Sequence, residues 1–322
     1  MRKWIIDTDP GTDDAIAIIA ASKHQGVEIL GITTVAGNKG LHMTTVNAQR
    51  LVAYNNLSCQ VYPGAEISLL AMPPIDGSSA HGDNGIGDVD LPYDQCSLST
   101  KNAVDFILEM VEKYPNEVEI LAIGPLTNIA LAIKKNKSLM KQVKSIVSMG
   151  GGVATGNMNP VSEFNYWFDA KAAQIVYDLG FDIPVHMVGL NVTSKAYFDA
   201  NDLWFMKLEG GQLGQMIFTM QKDLIETSGW QEERIIGNII HDLVAAVYLL
   251  YPDIMTVLHT KVDVVTEGFT VGQTVVETRL VTENLNKNAF VAMDINVPLF
   301  KSIVMKLLFK EDVGLLYQTY KK

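Results

Sequence analysis

Four carboxylates lie within eight residues near the start of the chain, at Asp7, Asp9, Asp13 and Asp14. Like charges this close repel one another, and burying any of them without a partner is costly. A bound divalent cation would offset that cost, and an all-oxygen ligand set favours Ca²⁺ or Mg²⁺ over zinc. The simpler alternative is an acidic turn in which Asp13 caps the following helix. We favour the metal site, because a cap requires only one acid.

His241 and Asp242 are a second candidate pair, since they stand at the expected start of an apolar helix. Asp242 could be only the N-cap of that helix, or it could be a metal ligand with His241 as a proton donor. His81 lies in a glycine-punctuated loop that could close over a ligand. The amides and carboxylate of residues 156–165 would suit a polyhydroxylated ligand, although a surface loop would have a similar composition.

These residues must be positioned by strands and helices that alternate along the first two thirds of the chain. Predicted strands span 3–6, 27–35, 118–123, 145–149 and 183–188, and predicted helices span 14–23, 44–54, 101–113, 128–135 and 170–179. Residues 201–251 have a mostly helical pattern, and strands at 262–265, 273–281 and 289–295 follow it. We predict one α/β domain over residues 1–322, with an open, mostly parallel, Rossmann-like sheet flanked by helices, a helical C-terminal part and a few late strands.

Small or polar residues follow five of the predicted strands, at 7–14, 36–38, 124–128, 150–152 and 189–193. Open parallel sheets bind ligands outside the carboxyl ends of their strands, so we expect these loops to line one pocket. The glycine run at 150–152 lacks the Lys of a phosphate-binding loop and does not match the dinucleotide fingerprint. We interpret it as a close approach of the backbone to an uncharged ligand.

Composition excludes several other classes of protein. The chain has 322 residues, 48% of them hydrophobic, and 25 Lys and Arg against 36 Asp and Glu give a net charge of −11. Without a basic run we expect no nucleic-acid binding, and without eighteen consecutive apolar residues we expect no membrane span. Cys59 and Cys96 are too few for a disulfide framework. We read them as reduced thiols of a cytoplasmic protein.

The segment 7–15 resembles the amino-terminal signature of the inosine–uridine-preferring nucleoside hydrolases. The resemblance continues in order through residues 35–38, 81–82, 124–128, 149–151, 163–165 and 241–242. It implies an open α/β sheet, a Ca²⁺ ion deep in the pocket and hydrolysis of ribonucleosides to ribose and free base, in purine or pyrimidine salvage. Members of this family are commonly homodimers or homotetramers.

The resemblance also implies a role for each matching residue. The calcium ligands would be Asp9, Asp14, Asp242 and the backbone carbonyl of Thr127, and Asp9 would also deprotonate the calcium-bound water. The nucleoside would be held at its 2′- and 3′-hydroxyls by Asp13, Asn38 and Asn165, at its 5′-hydroxyl by Asn157 and Glu163, and at its base by His241 and His81. An anionic pocket suits this reaction, because the transition state of glycosidic cleavage develops positive charge on the sugar.

Two departures from the family pattern leave alternatives open. Asn84 stands where we expect an acid after His81, and Asn191 stands where the family often has Asp. A non-catalytic nucleoside- or ribose-binding protein of the same fold is therefore one alternative. A haloacid dehalogenase-type phosphatase is another, although Gly11 occupies the place of its Thr or Val. The base preference is also open, because the segment 230–234 could contact a pyrimidine while His241 would help purines to leave.

Overall fold

The structure is a computed structural model that describes residues 1–73, 76–93, 97–221, 237–279 and 286–321. Its strands are β1 (Arg2–Thr8), β2 (Val27–Thr34), β3 (Gln60–Pro63), β4 (Val118–Ala122), β5 (Ser145–Met149), β6 (Val185–Val188), β7 (Phe198–Asp199), β8 (Gly237–Asn238), β9 (Met255–Thr260), β10 (Val262–Val264), β11 (Thr274–Val276) and β12 (Ala289–Ile295).

Helices alternate with these strands. They are α1 (Thr12–Lys23), α2 (Leu41–Tyr54), α3 (Ser78–His81), α4 (Ala103–Lys113), α5 (Thr127–Lys135), α6 (Lys137–Met140), α7 (Phe164–Phe168), α8 (Ala170–Leu179), α9 (Leu190–Thr193), α10 (Ala200–Glu209), α11 (Gly211–Met220), α12 (His241–Leu250), α13 (Val297–Leu308) and α14 (Glu311–Tyr320), with a 3₁₀ turn at Pro252–Ile254. None of the helices among the described residues combines the length and the apolar character that a membrane span requires.

An eight-stranded sheet in the order β3-β2-β1-β4-β5-β6-β12-β9 forms the centre of the molecule. Neighbouring strands run parallel except for the pair β12 and β9. The chain builds outward from β1 through β2 to β3, and then returns to the other side of β1 with β4. The strand order therefore reverses at β1, and such reversal points are where open α/β sheets bind ligands. The acidic segment that follows β1 lies at this point.

Helices α1 and α12 pack against each other on one side of the sheet. Every residue of α1 from Ala15 to Ala21 is buried, and so is every residue of α12 from Asp242 to Leu250. The small alanine side chains in both helices allow this close packing. Because both helices also begin at the carboxyl edge of the sheet, their first turns lie next to each other.

The predicted α/β fold with a mostly parallel sheet is confirmed. Two strands of the sheet were not predicted. The strand β3 has four residues and ends at a proline, and β9 is an edge strand with four consecutive exposed residues. Neither has the apolar run or the alternating pattern that signals a strand. The predicted late strand at 273–281 is described only to residue 279, and within it β11 spans Thr274–Val276 and runs antiparallel to β10.

Candidate active site

A cavity of about 400 Å³ opens at the carboxyl edge of the sheet, directly above the reversal point. Eight of the eleven residues proposed from the sequence as site residues line it: Asp13, Asn38, His81, Asn157, Glu163, Asn165, His241 and Asp242. The other three, Asp9, Asp14 and Thr127, are completely buried. These eight residues come from five segments of the chain. Of the five polar strand ends, 7–14 and 36–38 contribute to the lining, whereas no residue of 124–128, 150–152 or 189–193 does, so the prediction that all five line one pocket holds only in part.

Three carboxylates meet where α1 and α12 begin. Oxygens of Asp13, Asp14 and Asp242 lie within 4.8 Å of one another, a spacing that suits a shared metal ion. The partial positive charge of a helix N-terminus stabilises nearby carboxylates, and here two such termini face the same cluster. Neither alternative capping role holds, because α1 begins at Thr12, before Asp13, and Asp242 is the second residue of α12.

Asp9 lies beside this group with one oxygen occupied and one unpaired. Its Oδ2 accepts a hydrogen bond of 2.7 Å from the backbone N–H of Asn38. Its Oδ1 is buried and accepts no hydrogen bond from any described residue. Two glycines make room for the Asp9 carboxylate. A Cβ on Gly37 would lie 2.1 Å from Oδ2, and a Cβ on Gly124 would lie 2.6 Å from Oδ1. Next to the other carboxylates, this oxygen is free to bind a cation.

The pKa values of the clustered carboxylates also favour a bound cation. Burial raises the pKa of Asp9 and of Asp242 well above the ordinary value, and the neighbouring carboxylates raise both further. Burial, with the charge of Asp13, raises the pKa of Asp14 to about 7. A bound cation would stabilise the charged forms and lower these pKa values. Asp7 does not join the cluster, because its Oδ1 accepts hydrogen bonds from Thr33 and Asn128 inside the sheet.

The adjoining wall of the cavity presents hydrogen-bonding side chains held in fixed orientations. The amide nitrogen of Asn165 donates to the backbone carbonyls of Ile123 and Met149, which leaves its oxygen to accept from a ligand. The carboxylate of Glu163 caps α7, accepting from backbone N–H groups that include that of Gly151. Burial raises the pKa of Glu163 to about 7. Such a wall can recognise hydroxyl groups, which both donate and accept.

Two histidines complete the cavity. Nδ1 of His241 lies 2.8 Å from Oγ1 of Thr193. When that hydroxyl donates, the ring carries its proton on Nε2, which can then donate to a ligand. Nδ1 of His81 accepts from the backbone N–H of Thr12 at 3.2 Å, so the ring is held against the start of α1. Burial lowers the pKa of both rings, which favours the neutral form.

Comparison with known proteins agrees with this geometry. The sequence model of the inosine-uridine preferring nucleoside hydrolases matches residues 4–302. Uridine nucleosidase 1 of Arabidopsis thaliana is 38% identical over 287 residues, which cover 86% of this chain and 82% of that protein. The chain belongs to the inosine-uridine preferring nucleoside hydrolase family. Pyrimidine-specific ribonucleoside hydrolase RihB of Escherichia coli O157:H7 is 33% identical over 276 residues, covering 85% of this chain and 87% of RihB.

Solved structures place the chain in the same family. A purine-preferring ribonucleoside hydrolase from Gardnerella vaginalis has a TM-score of 0.87 at 29% identity, with 98% of this chain and all of that chain covered (100%). A plant nucleoside hydrolase has a TM-score of 0.88 at 27% identity, covering 96% of this chain and 99% of the other. This nucleoside hydrolase is therefore an enzyme of the N-ribohydrolase class, from a metal-dependent family.

The two departures from the family pattern have structural explanations. Asn84 organises its loop, accepting from the N–H groups of Ile86 and Asp88 and donating to the carbonyl of Val89. Asn191 ties the glycine-rich loop to β12, because its amide accepts from the Val153 N–H and donates 2.8 Å to the carbonyl of Ala292. An ionised Asp could not make either donation. Neither asparagine hydrogen-bonds to the acidic cluster, so both are structural residues of this nucleoside hydrolase.

The sequence assigned no individual role to several residues that line the cavity, among them Thr12, Met149, Met158, Gln221, Asn238 and Ile239. Thr12, Met149 and Met158 stand inside the segments 7–15, 149–151 and 156–165, which the sequence did single out. Gln221 and Asn238 lie outside every motif, and only the fold brings them to the cavity. The segment 230–234, suggested as a pyrimidine contact, lies outside the described residues.

Proposed function

We propose that this nucleoside hydrolase is a Ca²⁺-dependent enzyme that cleaves the N-glycosidic bond of uncharged ribonucleosides. The unpaired, fully buried Oδ1 of Asp9 beside three further carboxylates is the observation that carries the proposal. Together these carboxylates offer oxygen ligands for a hard cation, and Asp9 among them can accept a proton. The adjoining wall, which includes Asn38, supplies amides and a carboxylate suited to the ribose hydroxyls.

The residues present fit a calcium ion. Asp9, Asp14, Asp242 and the backbone carbonyl of Thr127 would hold it, and all of them offer oxygen. Thr127 is fixed at the start of α5 by its hydroxyl, which donates 2.7 Å to Asp169. When bound, Ca²⁺ would act as a Lewis acid that eases the deprotonation of water and would offset the repulsion within the cluster.

The protein's own groups account for the rest of the reaction. Asp9 accepts the proton of the attacking water, while Asp13, Asn38 and Asn165 hold the 2′- and 3′-hydroxyls. Asn157 and Glu163 bind the 5′-hydroxyl. The anionic cavity stabilises the positive charge that develops on the ribose as the bond to the base breaks. His241 donates from Nε2 to the departing base, and His81 lies beside it.

We expect one Ca²⁺ per chain in purified protein and complete loss of ribose release when a chelator is added. Activity should return with Ca²⁺, and the chelated protein should unfold at a lower temperature, since a ligand at a hundred times its Kd stabilises by roughly 2.7 kcal/mol. Elemental analysis, a panel of purine and pyrimidine nucleosides and thermal melts measure these effects. Stoichiometric zinc, or full activity in the chelator, would contradict the proposal.

We also expect rejection of nucleoside 5′-monophosphates. No Lys or Arg of the described residues lines the cavity, and Glu163 would face the phosphate. Placing like charges together costs several kcal/mol, so kcat/KM for uridine 5′-monophosphate should be roughly a hundredfold or more below that for uridine. Steady-state kinetics on the two substrates test this, and comparable values would show that the 5′ end of the nucleoside lies away from Glu163.

Both purine and pyrimidine nucleosides are included in the proposal, because relatives are named for each class. The Arabidopsis and Escherichia coli relatives are named for uridine and pyrimidines, whereas the Gardnerella structure is named for purines. We propose uridine as the first substrate to test, because the two pyrimidine-named relatives have the higher identities, 38% and 33% against 29%. The cytoplasmic location and the homodimer or homotetramer stay predictions from the sequence.

A further inference from the structure

Two amide side chains that no motif marks lie together in the cavity wall. The Nδ2 group of Asn238 donates to Oε1 of Gln221, seventeen positions earlier in the chain. Gln221 is fully buried, and its Nε2 group donates to none of the described residues. A buried amide donor without a partner destabilises the fold, so its retention beside a cavity needs a reason.

Both residues are held in place by the surrounding fold. Gln221 directly follows Met220, the last residue of α11. Met220 packs closely on Gly87, since a Cβ added to Gly87 would lie 2.6 Å from the Cα of Met220. Gly87 in turn donates 2.7 Å to the backbone carbonyl of His81. Asn238 pairs through β8 with Phe198. Through Met220 and Gly87, the amide pair is therefore tied to the loop that carries His81.

An amide pair has a property that suits the recognition of nucleobases. With one hydrogen bond made between them, one amide keeps a free amino group as donor and the other keeps a free carbonyl oxygen as acceptor. If both amides rotate about their soft terminal torsions, the pair stays bonded and the free donor and acceptor exchange places. Uracil and hypoxanthine present a carbonyl beside an N–H, while cytosine and adenine present an amino group beside a ring nitrogen. The two orientations of the pair match these two kinds of edge.

We propose that Gln221 and Asn238 form a reversible amide pair that determines specificity by reading the hydrogen-bonding edge of the nucleobase. This inference rests on the proposed function, which supplies the nucleoside. The pair would bind both carbonyl-bearing and amino-bearing bases, and a leaving group without such an edge would gain nothing from it. Gln221 and Asn238 are thus specificity residues, separate from the groups that act on the glycosidic bond.

Gln221→Met tests the pair, because methionine keeps the length of the side chain and removes its amide. We expect kcat/KM to fall about tenfold to a hundredfold on both uridine and cytidine, since each base loses a hydrogen-bonding partner. Hydrolysis of nitrophenyl riboside, which has no such edge, should change less than about threefold. Gln215→Met makes the same chemical change at an exposed position of α11 and should leave all three substrates unaffected.

A double variant tests whether the two amides act as a unit. Asn238→Leu should give losses similar to those of Gln221→Met, and the combined variant should lose little more than either alone, because coupled partners are not additive. Additive losses would contradict the proposal that the two amides act as one unit. Equal losses on the nucleosides and the arylriboside would indicate a structural role and overturn the proposal. A loss confined to uridine or to cytidine would contradict the proposal that the pair rotates to bind both kinds of base.

The outcome is separable from that of the proposed function. If the wild-type chain releases no ribose from any nucleoside, the proposed function fails, and the dissociation constants of uridine and cytidine can then be measured directly. Under the amide-pair proposal, Gln221→Met still weakens both by about tenfold or more relative to Gln215→Met. Unchanged affinities would overturn the amide pair as well.

Discussion

Asp9→Ala should lower kcat/KM by roughly a thousandfold or more on every substrate, whatever its leaving group, because it dismantles the activated nucleophile. Asp9 is proposed both to bind the metal and to accept the proton of water, and its buried Oδ1 has no other partner among the described residues. Steady-state ribose release from uridine, inosine and nitrophenyl riboside measures the effect.

Two further variants separate this role from damage to folding. Asp9→Asn keeps the size and the hydrogen bond from Asn38 but cannot take up a proton, so we expect it to be nearly as inactive as Asp9→Ala. Asp253→Ala removes an exposed aspartate far along the chain and should behave as wild type. If Asp9→Asn melts normally and retains more than about a tenth of the activity, Asp9 is not the base.

The location of the site could be predicted from the sequence, because the polar residues at each strand end can be recognised within one short segment. Each polar strand end, such as Asp9 after β1 or Gly124 after β4, is visible in a single segment, and parallel strands bring those ends to one edge. The three carboxylates of Asp13, Asp14 and Asp242 needed one further fact, that α1 and α12 begin side by side. The resemblance to the nucleoside hydrolases implied that fact, but periodicity could not, because α12 is apolar on all sides.

Other features depend on contacts between distant segments and left no local signal. Edge strand β9 is exposed over most of its length, so its sequence lacks the alternation that marks a half-buried strand. The residues Gln221 and Asn238 belong to a helix end and a two-residue strand, and their pairing appears only once the fold is formed. Asn84 and Asn191 looked like lost acids for a related reason, since the carbonyls that require their amide donors lie elsewhere in the fold.

His241→Ala is expected to have the second largest effect, and one that depends on the leaving group. Burial lowers the pKa of the ring, and the Thr193 hydroxyl at 2.8 Å can hold the tautomer that donates from Nε2. Loss of this donor should reduce kcat/KM for inosine and uridine by roughly a hundredfold to ten-thousandfold. Nitrophenyl riboside needs no proton at its leaving group, so its hydrolysis should be nearly unchanged.

Thr193→Val extends this test, because it removes the hydroxyl that fixes the tautomer and leaves the imidazole in place. We expect it to reproduce the same substrate dependence in a weaker form, while His42→Ala, an exposed histidine of α2, should affect no substrate. A histidine that served only to pack the first turn of α12 would, when replaced, harm nucleosides and the arylriboside alike. Equal losses on both kinds of substrate would therefore remove His241 from the mechanism, and the departing base would have to leave without a hydrogen bond from this ring.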